Sequence, residues 1–81
     1  MPVFKKKIPI GPILRRFREE RSLTQDRVAV GFDSSRSYIS QLELGKKNCT
    51  FSALIKYADA LGVKPEELFI EVVKEYRKLE D

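Results

Sequence analysis

Residues 23–45 read Leu-Thr-Gln-Asp-Arg-Val-Ala-Val-Gly-Phe-Asp-Ser-Ser-Arg-Ser-Tyr-Ile-Ser-Gln-Leu-Glu-Leu-Gly, and this stretch decides the fold. Thr24 is a favourable N-cap, and Val28, Ala29 and Phe32 follow at i, i+1 and i+4, the spacing of one apolar helix face. Asp33 and Ser34 then interrupt. Ser35 offers a second N-cap, and Ile39 with Leu42 forms the i, i+3 pair of a second apolar face ending at Gly45, a natural C′ residue. A three-residue break cannot join two helices as a long antiparallel hairpin, so they are expected to cross steeply. The start of the second helix then protrudes.

Its outward positions are Arg36, Ser37, Ser40 and Gln41, donors and acceptors of the kind that read base edges in a major groove. This is the geometry of a helix-turn-helix. Arg36 can bridge O6 and N7 of a guanine, and Gln41 can read adenine. Ser37 and Ser40 suit either phosphate or base, and Tyr38 suits phosphate or sugar. Ser35 stands at the helix N-terminus, which favours a nearby phosphate. After Gly45, the turn Lys46-Lys47-Asn48 is expected to lie along phosphates, contacts that position without carrying sequence information. The bland alternative for all of these is a solvated polar helix face.

These residues also carry a resemblance. Leu-Thr-Gln followed by Val-Ala, then Ser-Arg-Ser-Tyr-Ile-Ser-Gln-Leu-Glu-Leu-Gly-Lys-Lys-Asn, and finally Tyr-Ala-Asp-Ala-Leu-Gly-Val with Glu-Leu-Phe, resemble the Cro and phage-repressor type of helix-turn-helix domain over about residues 10–70. The resemblance implies an all-α, five-helix, lambda-repressor-like domain. It further implies a transcriptional regulator that binds double-stranded DNA as a homodimer on a (pseudo)palindromic operator. In such domains a Gln at the place of Gln25 binds backbone phosphate and braces the recognition helix, and a cation at the place of Arg18 pairs with an acid at that of Glu43. Two positions depart from the pattern: Asp33 stands where Gly is usual, and Cys49 where Pro is frequent. The small size, the Lys-Lys-Asn-Cys-Thr loop and a fifth helix close to the last residue resemble the controller proteins of restriction-modification systems. Phage-type or plasmid-type repressors and antitoxins stay open beside them.

Composition agrees with this direction. Residues 1–56 hold twelve Lys and Arg against five acids, a charge of +7, whereas residues 57–81 hold four against seven, a charge of −3. A basic amino-terminal part suits a polyanion. With no His and one Cys, the chain offers no internal disulfide framework, no zinc cluster and no His-based triad. No enzyme, metal or cofactor is therefore expected. The apolar stretch after Lys5-Lys6-Lys7 is broken by Pro9, Gly11 and Pro12, too soon for a signal peptide or a membrane span, so a soluble cytoplasmic protein is expected. Whether it contacts RNA polymerase is not readable, nor is activation against repression.

In chain order, residues 1–10 read as a basic arm, either a DNA contact or a solubilising tail, and residues 11–81 as the domain. The first helix is expected near Gly11 with Pro12 at N1, burying Ile13, Leu14 and Phe17 and exposing Arg15, Arg16 and Arg21. Gly31, inside a helix at a cost of about 1 kcal/mol against Ala, points to close packing of another backbone. Thr50 caps a fourth helix with Phe51, Leu54, Ile55, Ala58 and Leu61 apolar, and Cys49 reads as a small loop filler. The fifth helix, about residues 65–79, opens with Pro65 at N1. Leu68 and Phe69 are expected inward, and Val72, Val73, Tyr76 and Leu79 at the two-fold axis of a homodimer. A helical protein-interaction module with an incidental basic face is the competing reading from another class.

Overall fold

The computed structural model describes residues 8–79, in five helices: α1 (Ile10–Glu20), α2 (Gln25–Phe32), α3 (Arg36–Glu43), α4 (Phe51–Leu61) and α5 (Pro65–Leu79). The expected all-α, five-helix architecture is present. Most of the basic arm lies outside the described residues; Ile8 and Ile10 rest partly buried against the core.

Local chemistry sets the boundaries. Thr24, Ser35 and Thr50 each accept a hydrogen bond at Oγ from the backbone N–H three residues on, at 3.1, 3.2 and 3.0 Å. Each cap satisfies one of the four orphan donors at a helix start. At the other ends, Asp33 (φ 56°) and Gly62 (φ 75°) turn left-handed, and the next N–H in each case closes back five residues, Ser34 to Ala29 at 2.9 Å and Val63 to Ala58 at 3.0 Å. Asp33 thus performs the geometry expected of Gly at that place, at a cost of about 1 kcal/mol. The start of α1 differs from expectation: the helix begins at Ile10 and Pro12 occupies its third position. The first four N–H groups have no partner within a helix, so the missing donor costs nothing there either.

Leu14, Val28, Ile39, Leu42, Tyr57 and Leu68, drawn from all five helices, are the largest fully buried side chains. Leu54, Ala58 and Leu61 of α4 join the core as expected, but Phe51 and Ile55 are exposed. In α5, Leu68 and Val72 face inward and Phe69 faces out. The correction follows from helix geometry: one residue turns the face by about 100°, whereas four return it to within about 40°. Val72, expected at the two-fold axis, is therefore largely covered within the subunit. Val73, Tyr76 and Leu79 are half-buried.

Two glycines let helices approach. A Cβ at Gly31 would stand 3.0 Å from the Ala60 Cβ, so α2 lies close on α4, as the residue choice implied. A Cβ at Gly11 would overlap the Glu43 carbonyl oxygen and stand 2.9 Å from that of Leu42. The start of α1 therefore rests directly on the backbone that ends α3.

Candidate nucleic-acid interface

The eight-residue helix α3 is held by one face and offers the other. Ile39, Leu42 and Glu43 are buried; Arg36 and Ser37 are exposed at its first turn, with Ser40 and Gln41 half-buried beside them. Gln41 Nε2 donates to Ser37 Oγ at 3.2 Å, so the two side chains share one ridge. The Tyr38 ring leans on Phe32 at 5.5 Å, which ties the first turn of α3 to the end of α2.

Glu43 fixes the far end. Arg18 donates from Nε to Oε2 (2.8 Å) and from Nη2 to Oε1 (3.0 Å), a bidentate pair nearly closed to solvent. A third donor, Arg18 Nη1, reaches the Leu23 carbonyl at 2.8 Å. The Tyr57 hydroxyl donates to Glu43 Oε2 at 2.7 Å, with the Leu14 carbonyl within reach at 3.2 Å. Gln25 Nε2 completes the set with a 3.2 Å bond to Oε1. Burial pulls the Glu43 carboxyl upward, but the bonds from Arg18, Tyr57 and Gln25 outweigh it and leave the group below its ordinary range. The pairing also raises Arg18, against burial, while burial and the bond to Glu43 push the Tyr57 hydroxyl well up. One carboxylate thus joins α1, α2, α3 and α4. The network has no orphan: among the described residues no buried side-chain polar atom lacks a partner.

Gln25 is consequently braced on α3 through Glu43 and is only half-buried. It lines a polar cleft of about 500 Å³ with Arg15, Ser22, Thr24, Asp26 and Arg36. The start of α2, whose N–H groups favour an anion, and the first residue of α3 therefore share one opening. Beyond α3, Gly45 turns left-handed (φ 77°) and the Lys46 and Lys47 N–H groups close on the Gln41 carbonyl at 2.9 and 3.3 Å. Lys46, Lys47 and Asn48 are all exposed. Ser35 is exposed, its hydroxyl engaged as the α3 cap.

Comparison with known proteins matches a helix-turn-helix family model to residues 14–68. The chain belongs to the helix-turn-helix family. That is a family of regulators and not of enzymes. Similar to this helix-turn-helix chain is the control protein C.MunI of a Mycoplasma species, 37% identical over 70 residues that cover 85% of the chain and 95% of C.MunI. The crystal structure of the restriction-modification controller protein C.AhdI from Aeromonas hydrophila superposes with a TM-score of 0.69 at 33% identity, over 75% of this chain and 92% of that one. The controller protein C.Esp1396I, solved as a tetramer with its natural 35 base-pair operator, gives 0.76 at 26% identity, over 84% and 90%.

Sequence reasoning missed two members of the helix-turn-helix assembly. Arg15, read only as exposed, lines the cleft with Gln25 and Arg36 while pairing with Glu19 at 3.4 Å. Tyr57 was not recognised as the hydroxyl donor to Glu43; its place at i+3 from the buried Leu54 was the available signal. Arg21, expected exposed, is half-buried: it donates from Nη1 to the Phe17 carbonyl at 2.9 Å and lies over the Phe17 ring at 5.2 Å. Cys49 is half-buried in the loop, and burial pushes its thiol up, away from a reactive thiolate. Among the described residues no helix is long and apolar enough to cross a membrane.

Proposed function

We propose that the protein is a sequence-specific regulator of transcription that binds double-stranded DNA as a homodimer on a two-fold operator. The observation that carries this reading is the first turn of α3, where Arg36 and Ser37 project on a helix whose opposite face is locked into the core. In it, α3 enters the major groove; Arg36, Ser37, Ser40 and Gln41 read bases, and Gln25, Ser35, Tyr38, Lys46, Lys47 and Asn48 hold the backbone. Similarity to C.MunI across nearly its whole length supports the narrower role of a restriction-modification controller. The reading places the protein with the DNA of the cytoplasm.

Selection of bound sequences from random duplexes gives the half-site and its symmetry in one step. Arg36→Ala is expected to weaken binding to the selected site by about 1–3 kcal/mol and to relax preference at one base position. Lys46→Ala is expected to weaken all duplexes about equally and to flatten the log–log salt dependence by about 0.9. Equal losses on specific and random DNA for both variants assign Arg36 to phosphate instead. A protein-interaction module predicts no steep salt dependence at all.

A further inference from the structure

The last residue of α2 and the first turn of α3 share an aromatic pair. Asp33 turns left-handed (φ 56°) directly after Phe32, and that reversal brings Tyr38 back against the Phe32 ring at 5.5 Å, with the planes tilted by 55°. Both rings are half-buried at the edge of the core. From α4, the exposed Lys56 ammonium lies 6.0 Å from the Phe32 centroid, at the outer limit of a cation–π contact, so Phe32 is held from a third helix as well. The Tyr38 backbone N–H donates to Ser35 Oγ at 3.2 Å. Tyr38 is thus fixed at its backbone and at its ring, while its hydroxyl bonds to none of the described residues. At about 100° per residue, Tyr38 stands about 40° from the buried Leu42 and about 60° from Gln41, on the flank between the held face of α3 and the offered one. A flank residue of a helix lying in a groove meets the phosphate wall rather than the base edges on the floor.

We infer that Phe32 is a positioning residue for DNA binding: its ring presets Tyr38, so that the hydroxyl meets a backbone phosphate without first being ordered, an inference that rests on the backbone contact proposed above for Tyr38. The phenolic O–H donates to a phosphate oxygen, a charge-assisted bond that depends on where the ring points. A tyrosine free to rotate on an open helix flank has rotamers to lose when it docks, and immobilising such a side chain weakens affinity by about 2- to 12-fold. With Phe32 in place, that ordering happens during folding and not at the DNA. An aliphatic residue at position 32 would also seal the edge of the core, but it offers Tyr38 no aromatic face to lean on. Phe32 therefore acts on the duplex through Tyr38 alone.

A double-mutant cycle on the full chain, read as affinity for the duplex selected from random sequence, tests this role. Tyr38→Phe, which keeps the ring and removes the hydroxyl, is expected to weaken binding about 10-fold or more. Phe32→Leu is expected to weaken it about 2- to 12-fold on its own, and to cause no further loss in the Tyr38→Phe background, where no hydroxyl is left to place. Phe32→Tyr keeps a ring and is expected to bind as the parent does. The log–log salt slope is expected to stay unchanged in all of these variants, because none removes a cation. No loss from Phe32→Leu, an equal loss in both backgrounds, or a flatter salt slope overturns the assignment, as does a Phe32→Tyr variant as weak as Phe32→Leu. Should Phe32→Leu fail to fold, Phe32→Met takes its place in the cycle. If Tyr38→Phe binds like the parent while Arg36→Ala and Lys46→Ala are impaired, the positioning role falls and the DNA-binding reading stands; if the parent binds no duplex, both fall.

Discussion

Glu43→Ala is expected to destabilise the domain by about 3–5 kcal/mol, because it strands the Arg18 guanidinium in a site nearly closed to water. Tyr57 and Gln25 lose the same acceptor. In a domain of this size each kcal/mol moves the melting temperature by about 4–8 °C, so thermal unfolding reads the loss directly. A double variant, Arg18→Met with Glu43→Leu, is expected to recover much of it, since removing both charges leaves neither uncompensated. Acid provides a second measure. The folded Glu43 carboxyl lies below its ordinary value, so its contribution is complete above about pH 4.3 and is lost as pH falls through the folded value. Glu43→Gln lacks that contribution at neutral pH. The gap in melting temperature between parent and Glu43→Gln is therefore expected to narrow between about pH 4.3 and the lower folded pKa. A gap unchanged down to pH 3 would show that the carboxylate is not what the network holds.

The second large effect is Gly11→Ala. The added methyl meets backbone carbonyls of Glu43 and Leu42, and main chain cannot rotate aside as a long side chain can. The start of α1 must lift from α3, at a net cost of roughly 3 kcal/mol after the gain in helix propensity. Gly31→Ala makes the comparison sharp. There the methyl meets the Ala60 side chain at 3.0 Å, a small displacement relieves it, and the propensity gain of about 1 kcal/mol offsets the crowding. The expected order of melting temperatures is therefore parent close to Gly31→Ala, with Gly11→Ala well below both. Equal losses at the two glycines would mean that α1 does not sit on the end of α3.

The helices and their order were legible because each start is written in single residues. Thr24, Ser35 and Thr50 announce themselves by type, and the structure finds each hydroxyl on the expected N–H. The buried face of α3 was legible too, since the period of 3.6 separates Ile39 and Leu42 from the exposed Arg36 and Ser37. What periodicity does not state is which neighbour covers a given face. Phe51, Ile55 and Phe69 are as apolar as Leu54 and Leu68, but they remain exposed while Leu54 and Leu68 are buried. Long-range contacts were the other blind spot. Gly11 reads as a helix start until the end of α3 is laid against it, and Tyr57 reads as one more aromatic until Glu43 arrives from another helix. Arg18 with Glu43 was visible through the resemblance, not through spacing in the chain.

Helix α3 keeps two separate sets of residues. Ile39, Leu42 and Glu43 hold it; Arg36 and Ser37 are exposed with Ser40 and Gln41 half-buried beside them, and none of these four contributes to the buried network. On the proposed reading, a change at the exposed Arg36 or Ser37 alters what is read while costing the fold little, within about 0.5 kcal/mol. Operator preference can therefore drift by single substitutions while the scaffold stays above its stability threshold, and related chains of this architecture are free to diverge in the DNA they address without passing through an unfolded ancestor.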